Sequence, residues 1–355
     1  MWDICNGLDG FLEALVAHFV EQYQLPDELD STFALCRDFS DAISGVYFSL
    51  PGAPSARSVI DPACGEEMFE ELKGIAGLQK RLILLYNANC YGAHATSADF
   101  RARILADLDF AQRELGVSDV TTASPFVAGV IKDAYPHVQV CASVNMRIGS
   151  IPAMQLLTDF DAFYLQRELL YDFERIAILK RWCDAHGKTL RLIANSGCLF
   201  DCPFHTYHDN LVAHEGEMAL PDDADRRFPS PCWEAMYARS DVEAAALFLQ
   251  GNWIRPEDIH AWEPYFSEAK LATRMHALPR RVVAAYARGS FRGNLTDLTE
   301  PAFSLRLRDA VLDSARIPDD FLAHKARCRH RCDACGYCRE VARVALCKEA
   351  GWTLT

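Results

Sequence analysis

Residues 160–194 read FDAFYLQRELLYDFERIAILKRWCDAHGKTLRLIA and contain one complete strand–helix–strand unit. The short apolar runs at its two ends, 160–165 and 189–194, predict strands. Between them apolar side chains recur every three to four residues, which predicts a helix with one buried face. Gly187 stands just before the second strand, where glycine commonly ends a helix. The stretch therefore predicts the repeating unit of an α/β fold.

The same alternation extends over most of the chain. Strands are predicted at 44–50, 81–86, 118–122, 138–143, 160–165, 189–194, 245–249 and 266–271. Eight strand–helix units favour a closed parallel barrel of the (β/α)8 TIM type. An open doubly wound sheet is the main alternative, but no GxGxxG turn follows the first strand, so nothing indicates dinucleotide binding.

Two segments flank the predicted barrel, which spans residues 41–290. Residues 1–40 have a helical pattern and predict a helical N-terminal extension. Residues 291–355 predict a C-terminal cysteine-rich, metal-binding tail. Within the barrel, the long segment 197–239 follows the sixth predicted strand, and loops after strands form the active face of such barrels.

The composition of the 355-residue chain predicts a cytoplasmic protein. Its net charge of −13 argues against general nucleic-acid binding. Its apolar runs are far shorter than the roughly 20 residues of a membrane span, and residues 1–5 lack the positive n-region of a signal peptide. Seven of the 14 cysteines fall in two groups. Grouped cysteines in a reducing compartment indicate metal binding or redox chemistry rather than disulfides.

The first group follows the sixth predicted strand. Cys198 and Cys202 come directly after Gly197, and Cys232 lies later in the same loop. Thiolates on such a turn can bind one metal centre, because iron–sulfur clusters need soft anionic sulfur ligands. The alternative is that these cysteines are small buried apolar residues.

The second group is a CxxxCxxCxxC run formed by Cys328, Cys332, Cys335 and Cys338. Such closely spaced thiols predict a 4Fe–4S cluster, with a zinc knuckle as the alternative. The three thiols of the first group add a second cluster or share the same one. The spacing of the first three cysteines in the run also matches radical S-adenosylmethionine enzymes, but Cys338 would close the iron site that their chemistry needs open.

The sequence around the second cysteine group is basic. Lys325 and several arginines stand against Asp333 and Glu340. This charge would offset that of a thiolate-bound cluster or dock an acidic partner, although a solvated charged surface explains it equally well.

Several motifs resemble, in their order along the chain, those of the collagenase-like peptidase family of unassigned catalytic type (U-thirty-two). The Arg-Glu-Leu sequence at 167–169 is similar to its signature after the fifth strand, and the Gly-Cys turn at 197–198 to the turn after the next. The stretch 265–274, YFSEAKLATR, resembles its strand with lysine and arginine. The sequences at 123–126 and 142–145 fit its middle strands.

The resemblance implies a barrel that holds a 4Fe–4S cluster and performs oxygen-independent hydroxylation of a small aromatic, prenylated or nucleobase substrate, as in the UbiU/UbiV branch. It also implies a heterodimer with a related protein or a redox partner. The alternatives are a non-catalytic electron-transfer subunit, a peptidase-like zinc protein and an atypical radical S-adenosylmethionine enzyme. The family usually separates its first two cysteines by six residues and does not generally carry this tail, which indicates a divergent branch.

Polar residues at predicted strand ends complete the expected site. Arg167 and Glu168 are expected to bind a carboxylate and manage a proton, with an internal salt bridge as the alternative. His205 and His208 suit proton transfer, although polar loop histidines are the plainer interpretation. The residues expected to bind a small-molecule substrate are Asn87, Asn89, Ser143, Asn145, Asn195 and Arg274. No GxSxG or HExxH motif indicates a conventional peptidase.

Overall fold

The computed structural model describes residues 31–56, 58–59, 63, 65–214, 231–273, 276, 278–301, 303, 307 and 310–348. Most of the predicted N-terminal extension lies outside these residues. The chain divides into two compact units. Unit 1 comprises Met1–Gln166, Leu179–Arg191 and His205–Arg226, and unit 2 comprises Arg167–Ile178, Leu192–Phe204 and Arg227–Thr355. The predicted boundaries at residues 40 and 290 stay a prediction.

The main element is a seven-stranded parallel sheet whose strands follow one another in chain order. Its strands are β1 (Gly45–Phe48), β4 (Arg81–Tyr86), β5 (Asp119–Thr122), β6 (Gln139–Ala142), β7 (Ala162–Tyr164), β8 (Thr189–Ile193) and β9 (Ala269–Lys270). The last two residues of β8 pair with β9 within unit 2. A strand order without reversal is the order of an α/β barrel, whereas a doubly wound sheet reverses direction midway. The mixed α/β, barrel-like part of the prediction is confirmed.

Two short antiparallel pairs form separate sheets. They are β2 (Pro54–Ser55) with β3 (Ser58–Val59), and β10 (Ala310–Leu312) with β11 (Leu346–Lys348). The helices are α1 (Thr32–Asp38), α2 (Gly65–Gly77), α3 (Ala98–Leu115), α4 (Pro125–Ala134), α5 (Ile151–Gln155), α6 (Phe173–Ala185), α7 (His205–Ala213), α8 (Pro231–Tyr237), α9 (Asp241–Gln250), α10 (Pro279–Arg288), α11 (Phe321–Ala326) and α12 (Tyr337–Ala345). Among the described residues, every helix is too short or too polar to cross a lipid bilayer.

The predicted strand at 245–249, and with it the count of eight strands, is wrong for the described residues. That segment lies inside helix α9. Ser240 caps this helix, because its hydroxyl accepts a hydrogen bond from the Glu243 N–H at 3.4 Å. Four of its five residues are alanine or leucine, which favour helices, the fifth is Phe248, and most of these side chains are buried. An apolar run without clear periodicity does not distinguish a buried strand from a buried helix.

The core of unit 2 includes residues from the cysteine-rich C-terminal segment. The Trp253 ring stacks on Phe248, with ring centroids 4.7 Å apart, and on Phe321, with centroids 6.4 Å apart. Val341 and Ala342 of α12 belong to the same buried cluster. Full burial of each large apolar side chain contributes about 1.5–3 kcal/mol. The elements on either side of the second cysteine group are therefore held by core contacts.

Candidate metal centre and polar site

All seven grouped cysteines belong to unit 2. In the second group, Cys328 follows α11 closely, and Cys338 lies in the first turn of α12. Between them the Cys335 N–H donates to the Arg331 carbonyl at 2.8 Å and closes a turn. Cys332 and Cys335 are exposed, whereas Cys328 and Cys338 are half-buried. We name this segment, residues 328–338, the thiol loop.

The thiol loop meets the first cysteine group through two aromatic rings. Phe200, between Cys198 and Cys202, stacks on His330, with ring centroids 3.4 Å apart and planes 6° from parallel. His330 has a φ of 50°, and its N–H donates to the Cys328 sulfur at 3.3 Å. Hydrogen bonds to sulfur are among the features that tune thiolate-bound clusters. The structure thus brings the turn that contains Cys198 and Cys202 into contact with the thiol loop, which is distant in sequence.

A buried cation lies next to the thiol loop. The Lys325 side chain is inside unit 2, and the residue is 3% exposed. Its Nζ donates to the carbonyls of Leu249 and Gln250, both at 3.1 Å, and of Gly251 at 2.9 Å, at the end of α9. It also lies 4.9 Å from the centroid of the Tyr171 ring. Among the described residues, no carboxylate forms an ion pair with this ammonium.

The pKa values of Cys332 and Cys338 depend on neighbouring thiols and on Lys325. Burial raises the pKa of Cys338 to about 11, Lys325 opposes this shift, and the other three thiols of the loop add to it. Burial also raises the pKa of Cys332, with Cys328 and Cys335 acting in the same direction. Conversely, burial lowers the pKa of Lys325, and Cys338, Cys328 and Cys332 counteract this. Neighbouring thiolates repel one another, so a cation bound between them would favour the ionised form of Cys332 and Cys338.

The four cysteines of the thiol loop are chemically suitable ligands for a metal group bound through thiolates. Among the described residues, no three His, Cys, Asp or Glu side chains are already arranged to hold a metal ion. Three of the four thiols, Cys328, Cys332 and Cys338, nevertheless interact electrostatically with one buried cation, which complements an anionic centre. Cys232 lies in α8 and is half-buried.

Hydrogen bonds of the Asn195 side chain fix the turn that leads to Cys198. The Asn195 amide donates to the carbonyls of Ala272 at 2.7 Å and Leu298 at 3.1 Å, and its oxygen accepts from the Ala272 N–H at 2.6 Å. A Cβ on Gly197 would lie 2.3 Å from the Pro301 carbonyl oxygen, so a larger residue does not fit there without a shift. Asn195 therefore holds the turn that precedes Cys198.

The Arg-Glu-Leu motif contacts the same turn. The Arg167 Nε donates to the Ser196 hydroxyl at 2.9 Å, and Glu168 lies in the same 3₁₀ turn, Arg167–Leu169. Two motifs that carry the family resemblance therefore touch within unit 2.

A separate polar site lies in unit 1. The Asn89 amide donates to the Asp209 carboxylate at 3.3 Å, and the His205 Nε2 lies 3.8 Å from the same oxygen. His205 is buried and His208 is half-buried on the same helix, α7. The Asn89 Oδ1 is buried and has no hydrogen-bond partner among the described residues. A carboxylate oriented by an amide and facing a histidine is suited to proton transfer.

The remaining predicted pocket residues have local contacts. The Asn87 side chain accepts from the Ala56 N–H at 3.2 Å, and the Ser143 hydroxyl accepts from the Asn145 N–H at 3.3 Å. Arg274 lies outside the described residues.

Sequence reasoning missed several residues of these sites. Asp209 is four residues beyond His205, a spacing that places both on one helix face. The sequence marks Lys325 only as part of a basic segment. Nothing in the sequence paired Phe200 with His330.

The chain is similar to a curated protein and to a solved structure. No family model matches the chain. An uncharacterized protease of Methanocaldococcus jannaschii is 23% identical over 307 residues, which cover 85% of this chain and 88% of the relative. A solved structure of a U32 peptidase is similar with a TM-score of 0.44 and 17% identity, over 52% of this chain and 74% of that chain. The predicted resemblance to the collagenase-like peptidase family is confirmed as a resemblance, and the UbiU/UbiV branch stays a prediction.

Proposed function

We propose that this protein, which resembles the U32 collagenase-like peptidase family, is an iron–sulfur redox enzyme that binds a 4Fe–4S cluster through Cys328, Cys332, Cys335 and Cys338. The observation that carries the proposal is the buried Lys325 ammonium, which has no carboxylate partner among the described residues. An unpaired buried charge is costly. A thiolate-bound cluster is anionic and provides the missing countercharge.

The first cysteine group contributes to the same redox centre or to a second one. The Phe200–His330 stack supports close coupling of the two groups. When bound, a cluster carries electrons, or acts as a Lewis acid where one iron is open. The parallel sheet with strands in chain order supports a (β/α)8-type barrel as the scaffold.

The reaction we propose is oxygen-independent hydroxylation of a small aromatic, prenylated or nucleobase substrate. Arg167, oriented by the Ser196 hydroxyl, binds a carboxylate of a reactant, and Glu168 manages a proton beside it. His205 and Asp209 are a second proton-handling pair, oriented by Asn89. These assignments rest on the family branch and on the polar contacts of each unit taken separately.

A zinc-stabilised hydrolase is the second candidate. The curated relative is named a protease. The Asn89–Asp209–His205 arrangement has the parts of an oriented general base. In that case the thiol loop would bind zinc, which uses the same cysteine spacing for structural sites.

The deciding experiment is metal and sulfide analysis of the full chain after anaerobic purification. We expect a brown protein with iron and acid-labile sulfide in near-equal amounts, and an absorption band that is lost on exposure to air. A colourless protein that contains stoichiometric zinc and no sulfide would overturn the iron–sulfur proposal and favour the hydrolase.

A further inference from the structure

The surface around the thiol loop is positively charged in an acidic protein. Between residues 327 and 343 there are five arginines and two carboxylates, whereas the whole chain has a net charge of −13. All five arginines are exposed. They are Arg327, Arg329, Arg331, Arg339 and Arg343. We name them the arginine face.

Most of the charge on the arginine face is not neutralised locally. Arg343 pairs with Glu340, and Arg331 lies 3.9 Å from Asp333, with both of those side chains about three-quarters exposed. Arg327 donates to a backbone carbonyl rather than to a carboxylate. No ion pair within the described part of the chain includes Arg329 or Arg339. Net positive charge therefore faces solvent here.

Two other features accompany this charge. The thiols of Cys332 and Cys335 are exposed at the same loop. Val344, on the outer side of α12, is 61% exposed beside Arg343. A small patch that combines charge with an exposed apolar residue resembles the interfaces of transient redox complexes, which bury less than about 1,200 Å².

We propose that the arginine face is the docking surface for an acidic electron-carrier protein of the ferredoxin or flavodoxin type. The inference rests on the proposed function, because an electron carrier has a purpose here only if the thiol loop binds a redox-active metal group. A local positive patch steers an acidic protein to this face and speeds association. On docking, the carrier gives up one electron and the metal group gains one, while no bond forms or breaks.

The charge distribution favours a compact partner over a nucleic acid. A small protein contacts the patch alone. An extended polyanion would also meet the acidic remainder of the chain, whose charge repels it.

The test measures binding of a reduced acidic [2Fe–2S] ferredoxin to the anaerobically purified full chain by calorimetry at low and high salt. The variant R329E/R339E reverses two charges of the arginine face. The matched control R113E/R181E reverses two exposed arginines of unit 1. We expect about a ten-fold or greater loss of affinity in the first variant, a change of less than about two-fold in the control, and weaker wild-type binding at high salt.

Iron content of every variant is measured separately, so that loss of the cluster and loss of docking are distinguished. If R329E/R339E loses iron, R327E/R343E replaces it. Equal affinity in wild type and variant overturns the docking surface even when iron is present. Binding of transfer RNA, rather than of ferredoxin, that is lost only in the arginine-face variant also overturns it and assigns the face to nucleic acid. Absence of iron in the wild type overturns the proposed function instead.

Discussion

Cysteines of the two units differ in their surroundings. In unit 1, Cys36 and Cys183 are fully buried and belong to the core, and burial raises the pKa of each to about 11. In unit 2, Cys332 is exposed and Cys338 is half-buried. Burial raises the pKa of each, at least two neighbouring thiols add to this shift, and Lys325 opposes it. A raised pKa alone therefore does not distinguish a core thiol from a candidate ligand. Neighbouring thiols do distinguish the two kinds of cysteine, because a metal ion or cluster needs several sulfur ligands close to one position.

The largest expected effect comes from replacing one cysteine of the thiol loop with alanine and comparing it with the same change at a core cysteine. Cys338→Ala should lose nearly all of the iron bound at the thiol loop, because it removes one of four ligands. Cys183→Ala should keep the iron and lose only about 1 kcal/mol of unfolding free energy, as for a typical core substitution. Iron and sulfide analysis with urea titration measures both. Full iron content in Cys338→Ala would show that the thiol loop does not bind the iron.

The next prediction tests whether the cysteine-rich segment is part of the core of unit 2. Phe321 is buried against Trp253, so Phe321→Ala should lower the unfolding free energy by about 3–5 kcal/mol. The control is Leu156→Ala in unit 1, where the side chain is 83% exposed and the change should be within about 0.5 kcal/mol. Chemical denaturation of the two variants gives the comparison. A small loss for Phe321→Ala would mean that this segment is only loosely attached.

A third prediction compares a buried and a surface lysine. Lys325→Met leaves three carbonyls at the end of α9 without their donor, so it should cost about 1–3 kcal/mol and weaken metal retention. Lys180→Met in unit 1 removes an ion pair with Asp184 at a more exposed position and should cost less than about 1 kcal/mol. Denaturation and iron retention under a chelator measure the difference. Equal behaviour of the two variants would show that Lys325 has no special relation to the thiols.

The smallest expected effect concerns pH. His276 in unit 2 is neutral in the fold, because its Nδ1 accepts from the Leu278 N–H at 3.0 Å while its Nε2 donates to the Asp297 carbonyl. Burial lowers its pKa, although the Asp297 carbonyl and the carboxylates of Glu300 and Asp297 oppose this and Arg281 adds to it. The unfolded state then binds the proton more readily, with a pKa near about 6.5. The contribution of His276 to the unfolding free energy is therefore complete above about pH 6.5 and is lost as the pH falls below that value.

His276→Asn should reduce this pH dependence by at most about 1.4 kcal/mol per pH unit, the slope for one proton. Urea titrations between pH 5 and pH 8 measure the slope in the wild type and the variant. An unchanged slope would assign the acid sensitivity to other groups.

Local patterns predicted much of the fold. Strand β4 begins and ends where it was predicted, and the other strands of the sheet differ at their ends by a few residues. The prediction failed at 245–249, where an apolar segment without clear periodicity lies in a helix. Register and strand neighbours follow from hydrogen bonds between distant segments, which no local pattern contains.

The sequence by itself determined the alternation of strands and helices, the grouping of the cysteines and the turn at Gly197, because periodicity and spacing are properties of adjacent residues. Only the tertiary structure decided that Phe200 stacks on His330, that Lys325 is buried beside the thiols, and that Asp209 lies between Asn89 and His205. The Phe200–His330 and Asn89–Asp209 contacts, and those of Lys325 with the end of α9, join residues far apart in the chain. They arise from the burial of apolar surface and the pairing of buried polar groups, which depend on how the whole unit folds.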